Sequence, residues 1–94
     1  MEAESNIAKK DFTILNKEGL HLRPAGMFVK LASTFKSDVW VEKEGETANG
    51  KSIMGLALLA AERDSKISIT TEGEDAVEAM EALGALIERS FQPE

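Results

Sequence analysis

The chain has 94 residues, of which 43% are hydrophobic and 30% charged, with a formal net charge of -6 and no cysteine. This length favours one domain, and the composition is typical of a globular protein. The acidic balance argues against a nucleic-acid partner, and the lack of cysteine excludes a disulfide framework or a thiolate metal site. No run approaches the roughly 18 apolar residues of a membrane helix, and the polar N-terminus lacks the apolar core of a signal peptide. We therefore expect a cytoplasmic protein with no membrane partner.

The first part of the chain predicts a tail, a strand and a helix. Residues 1–9 form a flexible N-terminal tail in this prediction. The stretch "DFTIL" (residues 11–15) is rich in β-favouring residues, and "NKEG" follows as a turn. Apolar residues recur at helical spacing from Pro24 to Phe35, with Met27 and Lys30 off the inward face. Pro24 suits the first helical turn, where its missing N–H leaves no hydrogen bond unmade.

The middle part predicts a hairpin and a short helix. "DVWVEK" (residues 38–43) alternates, which places Val39 and Val41 on one face and Trp40 on the other. A turn at Gly45 separates it from "ETAN", a short partner strand. Ser52 is a good N-cap for a second helix that runs to about residue 60.

The last part predicts a strand and a third helix. "KISITT" alternates again, and "EGED" supplies a turn and acidic residues for a first helical turn. The inward face of the third helix is predicted from its apolar spacing to hold Ala76, Val77, Met80, Leu83 and Ile87. Residues 90–94 are predicted as a C-terminal tail.

The predicted order is strand, helix, strand, strand, helix, strand, helix. Each strand alternates apolar and polar residues, so each should have one buried and one solvated face. An α+β fold follows, with a four-stranded, largely antiparallel sheet that carries three helices on one side. Trp40 should lie on the open side.

One stretch raises a competing hypothesis. "GETANGKS" (residues 45–52) matches G-x-x-x-x-G-K-[ST], the loop that wraps nucleotide phosphates. That loop normally belongs to a parallel sheet with continuous apolar strands and a magnesium-supporting acid. Here the strands alternate, and too few residues follow Ser52 to build the remaining units. We therefore interpret the match as a hairpin turn followed by a helix start, and not as an NTPase site.

The only histidine gives a second hypothesis. His21 lies in "GLHLRPAG", just before the helix that Pro24 opens, and Arg23 adds a forked cation suited to phosphate oxygens. Helix N-termini hold anions, and no acid occurs from Gly19 to Ser37. Imidazole nitrogen is nucleophilic at cellular pH and can pass on a phosphoryl group. The alternative from spacing alone is a loop histidine that hydrogen-bonds only to nearby backbone.

These residues resemble a known family. "GLHLRPAG" resembles the active-site signature of HPr, the histidine-containing phosphocarrier of the bacterial phosphotransferase system. "KSIMGL" (residues 51–56) resembles the second HPr signature, around a regulatory serine. The two lie at the family's spacing, and the resemblance covers residues 10–89. It implies an open-faced sandwich of four antiparallel strands under three helices, in agreement with the periodicity.

The resemblance also implies roles for individual residues. His21 would accept a phosphoryl group on Nδ1 from Enzyme I, which takes it from phosphoenolpyruvate, and would pass it to an enzyme IIA. Arg23 matches the phosphate-stabilising arginine, and Pro24 the helix-opening proline. Ser52 matches the serine that HPr kinase/phosphorylase modifies in many bacteria, although its place as an N-cap is a sufficient structural explanation for a serine.

The resemblance further implies how the protein meets its partners. Ile53, Met54 and Leu58 would continue an apolar docking patch beside Met27 and Lys30, and the five residues together would contact the partner. Such a protein is a monomeric carrier and a protein substrate of other enzymes, with no cofactor, no metal and no turnover of its own.

Departures from the family pattern affect the site. Glu18 stands where the family often has Asn or Ser, so its carboxylate could hold the His21 side chain or repel a phosphate. Leu22 replaces a usually smaller residue. The ends extend beyond the family's usual limits, which leaves a role for a C-terminal carboxylate open.

A function in a different class is compatible with the same residues. HPr-like proteins can act as regulatory interaction modules for transcription factors or enzymes, in the nitrogen-related branch or in catabolite control, through the serine surface alone. His21 and Arg23 favour the carrier.

Overall fold

The computed structural model describes residues 6–92 of the chain. Its elements, in chain order, are β1 (Asn6–Thr13), α1 (Leu22–Ala32), β2 (Asp38–Lys43), β3 (Glu46–Asn49), α2 (Ile53–Leu59), β4 (Lys66–Gly73) and α3 (Ala76–Glu88). The predicted order of strands and helices is therefore confirmed.

The four strands form one antiparallel sheet in the order β1-β4-β2-β3. Alternation along the strands decides which face is buried. Val39, Val41, Ile67 and Ile69 point into the core, whereas Trp40 lies on the open face. The helices cover the other face, so the fold is the predicted open-faced sandwich.

The first strand begins earlier than predicted. The prediction of a flexible tail over residues 1–9 is wrong for residues 6–9, because β1 pairs continuously with β4 from Asn6↔Gly73 to Thr13↔Lys66. Residues 1–5 lie outside the described part of the chain. The polar stretch "NIAKK" carries little strand signal of its own. The long neighbouring strand β4 supplies the hydrogen bonds that make it a strand.

The predicted C-terminal tail is also wrong where it can be described. Phe91 is fully buried, with 0% of its surface exposed, and belongs to the core. Ser90 and Phe91 have left-handed backbone conformations, and Phe91 N donates to Leu86 O at 2.9 Å. This turn ends α3 and folds the aromatic ring back under it. Residues 93–94 lie outside the described part.

The helix boundaries and one face also differ from the predictions. α1 spans Leu22–Ala32 instead of residues 24–35, so Pro24 is its third residue and still lies in the first turn. Val77 is 53% exposed, and the inward-face assignment of this residue is wrong. α3 instead approaches the sheet through small residues, and Gly84 lies so close to Phe12 that a Cβ would stand 2.9 Å from its ring. Small residues carry a weak apolar signal, which explains the misassignment.

Candidate phosphoacceptor site

His21 lies at the N-terminus of α1 as its N-cap residue, with an exposed side chain. Its backbone is extended, with φ -78° and ψ -174°, and the imidazole makes no capping hydrogen bond. The first intrahelical bond runs from Ala25 N to His21 O at 2.8 Å. The N–H groups of Leu22 and Arg23 precede that bond, and Pro24 has none. The imidazole therefore stands beside a helix start whose donors and dipole favour an anion.

The residues before His21 anchor it. Leu20 is buried, and its N–H donates to Ala61 O at 2.8 Å. Gly19 has φ +69°, and a Cβ there would collide with the same carbonyl oxygen. Only glycine adopts this conformation against so close a backbone without strain. Gly19 and Leu20 are thus both held against Ala61, and His21, the next residue, is exposed.

Arg23 lies in the first turn of α1, in a shallow hollow that His21 also lines together with Glu18 and Ala57. The structure thus brings together the histidine and the arginine predicted from sequence. Arg23 Nη2 donates to Glu18 Oε2 at 2.8 Å, and Arg23 Nη1 contacts Met27 Sδ at 3.2 Å. The guanidinium contacts described by the structure therefore go to residues other than His21.

Glu18 lies on the same hollow and makes its described contacts with Arg23 and Asn16, not with His21. Asn16 is buried, and its Nδ2 donates to Glu18 Oε1 at 3.1 Å and to Gly19 O at 2.8 Å. The Arg23 hydrogen bond, with help from Asn16, lowers the pKa of Glu18 to about 2. The carboxylate is therefore charged at neutral pH. Of the two roles considered for Glu18, holding the histidine is not what the structure shows.

The second signature lies at the N-terminus of α2. Ser52 is the N-cap, and its Oγ accepts from Gly55 N at 3.0 Å, which confirms the predicted cap. Ile53, Met54 and Leu58 follow on the exposed side, with 42%, 65% and 76% of their surfaces accessible. Ala57 of the same helix lines the His21 hollow, so α2 borders the histidine, whereas Leu58 lines a separate hollow against β3.

The remaining residues predicted for docking are placed differently. Met27 is half-buried, and with Lys30 it lines a second hollow, between α1 and Leu86 and Arg89 near the end of α3. Arg23 joins the two hollows through its contact with Met27. The predicted patch is therefore divided, with its α2 part beside His21 and its α1 part facing α3. Leu22, 65% exposed, lines the His21 hollow.

The nucleotide-loop match is explained by the fold. Glu44 and Gly45 form the turn between β2 and β3 with positive φ values of 52° and 85°. The following residues are strand β3, and Ser52 caps α2. Lys51 Nζ donates to Phe35 O at 2.9 Å, beyond the end of α1. The hairpin-and-cap interpretation is confirmed, and the lysine has a structural partner.

Two residues of the site, Asn16 and Ala57, were not predicted from the sequence. Asn16 was assigned only to a turn, although it is buried and holds Glu18. Ala57 carried no signal, because nothing in an alanine at one helical position tells which neighbour it meets. In residues 6–92 no group of three His, Asp or Glu side chains is arranged to hold a metal ion. No helix within the same residues is both long and apolar enough to cross a membrane.

Comparison with known proteins finds HPr and HPr-like proteins as relatives. The family model for the PTS HPr component phosphorylation site matches residues 8–89. Phosphocarrier protein HPr of Neisseria meningitidis serogroup A is 49% identical over 83 residues, covering 88% of this chain and 93% of that protein. HPr-like protein Crh of Halalkalibacterium halodurans is 47% identical over 83 residues, covering 88% and 99%.

Solved structures agree. The crystal structure of HPr-C-His from Thermoanaerobacter tengcongensis is similar with a TM-score of 0.88 and 44% identity, covering 93% of this chain and 98% of that one. An HPr dimer from the same organism gives a TM-score of 0.74 and 45% identity, covering 87% and 94%. With the fold, both signature stretches and the family match in agreement, this chain belongs to the HPr family of phosphocarrier proteins.

Proposed function

We propose that this protein carries a phosphoryl group on His21 between Enzyme I and an enzyme IIA. Enzyme I takes the group from phosphoenolpyruvate. The observation that carries the proposal is the exposed N-cap histidine of α1, whose side chain makes no capping bond. It shares one hollow with Arg23 in a chain of the HPr family. A carrier has no turnover of its own, and we expect no cofactor.

The chemistry needs little from the chain itself. The lone pair of Nδ1 attacks the phosphorus held by Enzyme I, so one bond to phosphorus forms as the bond to Enzyme I breaks. No oxidation is involved, and the reverse sequence delivers the group to the enzyme IIA. The start of α1 and the Arg23 guanidinium stabilise the charge on the transferred oxygens. Pro24 supports this by fixing the backbone of the first turn without presenting an N–H.

Docking is assigned to the apolar surface of α2. Ile53, Met54 and Leu58 are exposed on α2, the helix whose Ala57 lines the hollow of His21, so a partner that covers them would bring its own active site near the imidazole. Exposed apolar residues grouped in this way mark interaction sites more often than isolated ones do. Met27 and Lys30 would extend the footprint toward α3.

Ser52 is proposed as a regulatory phosphorylation site for an HPr kinase/phosphorylase. Its Oγ is only partly exposed and caps α2, so phosphorylation replaces one cap acceptor with phosphate oxygens at the same helix end. The added charge would stand immediately before Ile53 and Met54. A partner would then have to bury apolar surface beside a hydrated dianion.

A regulatory interaction module is the second candidate. The observation that favours it is the similarity to HPr-like protein Crh, at 47% identity, together with the apolar surface beside Ser52. In that case the chain would act as an effector in nitrogen-related regulation or catabolite control through α2. We favour the carrier because His21 and Arg23 are both present and share one hollow.

Intact-mass analysis tests the carrier. Wild type, His21→Ala and Ser52→Ala are incubated with Enzyme I and phosphoenolpyruvate, and the mass is recorded before and after acid. We expect one acid-labile phosphate on wild type and Ser52→Ala and none on His21→Ala. Phosphate on His21→Ala would move the site elsewhere, and an unmodified wild type would favour the interaction module. Light scattering on the same samples tests the expected monomer, and fractionation of cells tests a cytoplasmic location.

A further inference from the structure

The guanidinium of Arg23 is already engaged in the unphosphorylated protein. Its Nη2 pairs with Glu18 Oε2 at 2.8 Å, and its Nη1 contacts Met27 Sδ at 3.2 Å. The side chains of Arg23 and Glu18 are about half exposed, 52% and 41%. Arginine has a fixed planar fork of donors, so a guanidinium that already binds Glu18 must turn or share its donors to bind a second anion.

Glu18 is not free to follow Arg23. Asn16, which is buried, donates to Glu18 Oε1 at 3.1 Å and to Gly19 O at 2.8 Å from the same Nδ2. Gly19 in turn is wedged against Ala61 in a left-handed conformation. The carboxylate is thus placed by a buried amide and by a constrained loop. Its lowered pKa, about 2 through the bond with Arg23, keeps it anionic.

Glu18 and His21 line the same hollow. A phosphoryl group on the imidazole would therefore bring a second anion to a place where the first is already fixed. Both anions have one adjoining guanidinium, that of Arg23, within the hollow. The pair that stabilises the unphosphorylated protein must be weakened or shared in the phosphorylated one.

We propose that Glu18 is a positioning residue that competes with the phosphoryl group for Arg23 and so raises the phosphoryl-transfer potential of phosphorylated His21. The inference rests on the proposed carrier function and adds a residue to it. The ion pair favours the unphosphorylated state, in which Arg23 has its carboxylate. The chain consequently donates its phosphoryl group more readily than a chain without an acid at this position.

The equilibrium with Enzyme I tests this inference. Wild type, Glu18→Gln and the control Glu81→Gln are held with Enzyme I at one fixed ratio of phosphoenolpyruvate to pyruvate, and phosphorylated fractions are read by intact mass. Glutamine can keep an oxygen as the acceptor for Asn16, while its amide NH2 replaces the charged oxygen that accepts from Arg23. Glu81, on the exposed side of α3 in a groove against β1, makes the same change in net charge. We expect Glu18→Gln to raise the phosphorylation equilibrium constant roughly 1.5- to fivefold, the size of an exposed ion pair, and Glu81→Gln to leave it unchanged.

A double-mutant cycle shows whether Glu18 acts through Arg23. In an Arg23→Ala background the effect of Glu18→Gln should disappear, because no guanidinium remains to compete for. An unchanged equilibrium constant for Glu18→Gln in the wild-type background would overturn the inference. An equal rise with and without Arg23 would also overturn it, since Glu18 would then act by direct repulsion.

A second measurement does not need Enzyme I. The chain is phosphorylated chemically with phosphoramidate, and the 31P shift of the phosphohistidine is followed against pH. Glu18→Gln should lower the phosphoryl pKa by releasing Arg23 to the dianion, and Arg23→Ala should abolish that difference. If Enzyme I fails to phosphorylate wild type, the proposed function is wrong. If Enzyme I succeeds but the phosphoryl pKa is the same in Glu18→Gln, the inference alone is wrong.

Discussion

The helix starts that carry the two signatures are built differently. At α1 the N-cap is His21, whose side chain makes no capping bond, so the helix end remains available to an anion. At α2 the N-cap is Ser52, whose Oγ accepts from Gly55 N and satisfies a donor of its own helix. The N-cap side chain of α1 accepts from none of the donors of its helix, whereas that of α2 accepts from one of them. The difference agrees with the roles proposed for the two residues, His21 as phosphoacceptor and Ser52 as a structural cap and regulatory site.

The third helix start adds a contrast. Asp75 is the N-cap of α3, but its carboxylate makes no capping bond to that helix. It accepts instead from Lys36 N, Ser37 N and Ser37 Oγ, at 2.9, 2.9 and 2.5 Å. The acid therefore ties the loop after α1 to the start of α3. The three helix starts thus differ: at α1 the N-cap side chain makes no capping bond, at α2 it caps its own helix, and at α3 it fastens a loop.

The largest expected effect comes from removing Arg23, the cation in the first turn of α1. Arg23→Ala would remove the charge-assisted contact that we propose between Arg23 and the transferred phosphoryl group, and such a contact is worth about 1.5–3 kcal/mol. We expect phosphoryl transfer from Enzyme I to slow roughly ten- to a hundredfold while the melting temperature stays close to wild type. Phosphoryl-transfer reactions with Enzyme I, quenched at successive times, measure the rate. Lys9→Ala, on the open face of the sheet, is the control for lost positive charge; an equal slowing in that variant would remove Arg23 from the site.

Phosphorylation of Ser52 should weaken partner docking on α2 without unfolding the helix. The dipole offsets part of the added charge, by roughly 0.3–1 kcal/mol at an exposed helix start. A partner that docks on Ile53 and Met54 meets a hydrated dianion, and a penalty of about 1.4 kcal/mol lowers affinity tenfold. We expect the specificity constant for Enzyme I to fall about tenfold. Enzyme I kinetics on kinase-phosphorylated protein measure this, with Ser52→Asp as a partial mimic.

Two outcomes separate the explanations for Ser52. An unchanged specificity constant would contradict the docking argument. A large fall in melting temperature would instead show that the phosphate disrupts α2.

Removing each N-cap side chain should distinguish the two starts by stability. Ser52→Ala loses the bond to Gly55 N and should lower the free energy of unfolding by about 1 kcal/mol. His21→Ala loses no capping bond and should change it by less than about 0.5 kcal/mol. Urea titrations measure both. An equal fall in the free energy of unfolding for the two variants would contradict the difference in capping between His21 and Ser52.

The smallest expected effect is a pH dependence at the third start. The hydrogen bond from Ser37, and then those from the Lys36 and Ser37 backbone, hold the pKa of Asp75 below its usual range. A carboxyl with a depressed folded pKa contributes stability above its unfolded pKa, and the contribution is lost as pH falls through the folded pKa. Asp75→Asn should therefore be less stable than wild type from pH 5 to 7. The difference should shrink below pH of about 4, the unfolded value for aspartate.

Urea titrations across that pH range check the prediction. A difference that grows toward acid would have the wrong sign for a depressed pKa. Ser37→Ala, which removes only the hydroxyl donor, should give a smaller effect of the same sign.

Much of the site could be predicted because its signals are local. Helical spacing after Pro24, the N-cap at Ser52 and the two signature stretches are each contained in a few residues. The strands β2 and β3 match the predicted residues because alternation and a turn at Gly45 specify a hairpin. The partner of Arg23 was not predictable in this way, because it depends on where the loop at Glu18 lies relative to α1.

The amino-acid sequence by itself determined the order of elements, the open-faced sandwich and the presence of a histidine and an arginine at one helix start. Only the tertiary structure decided that residues 6–9 are strand, that Phe91 belongs to the core, and that Met27 faces the end of α3. The physical reason is the range of the interactions. Periodicity, caps and turns depend on neighbours a few residues apart, whereas β1 depends on β4, some sixty residues away along the chain. Such contacts are specified by packing, which no short stretch of sequence contains.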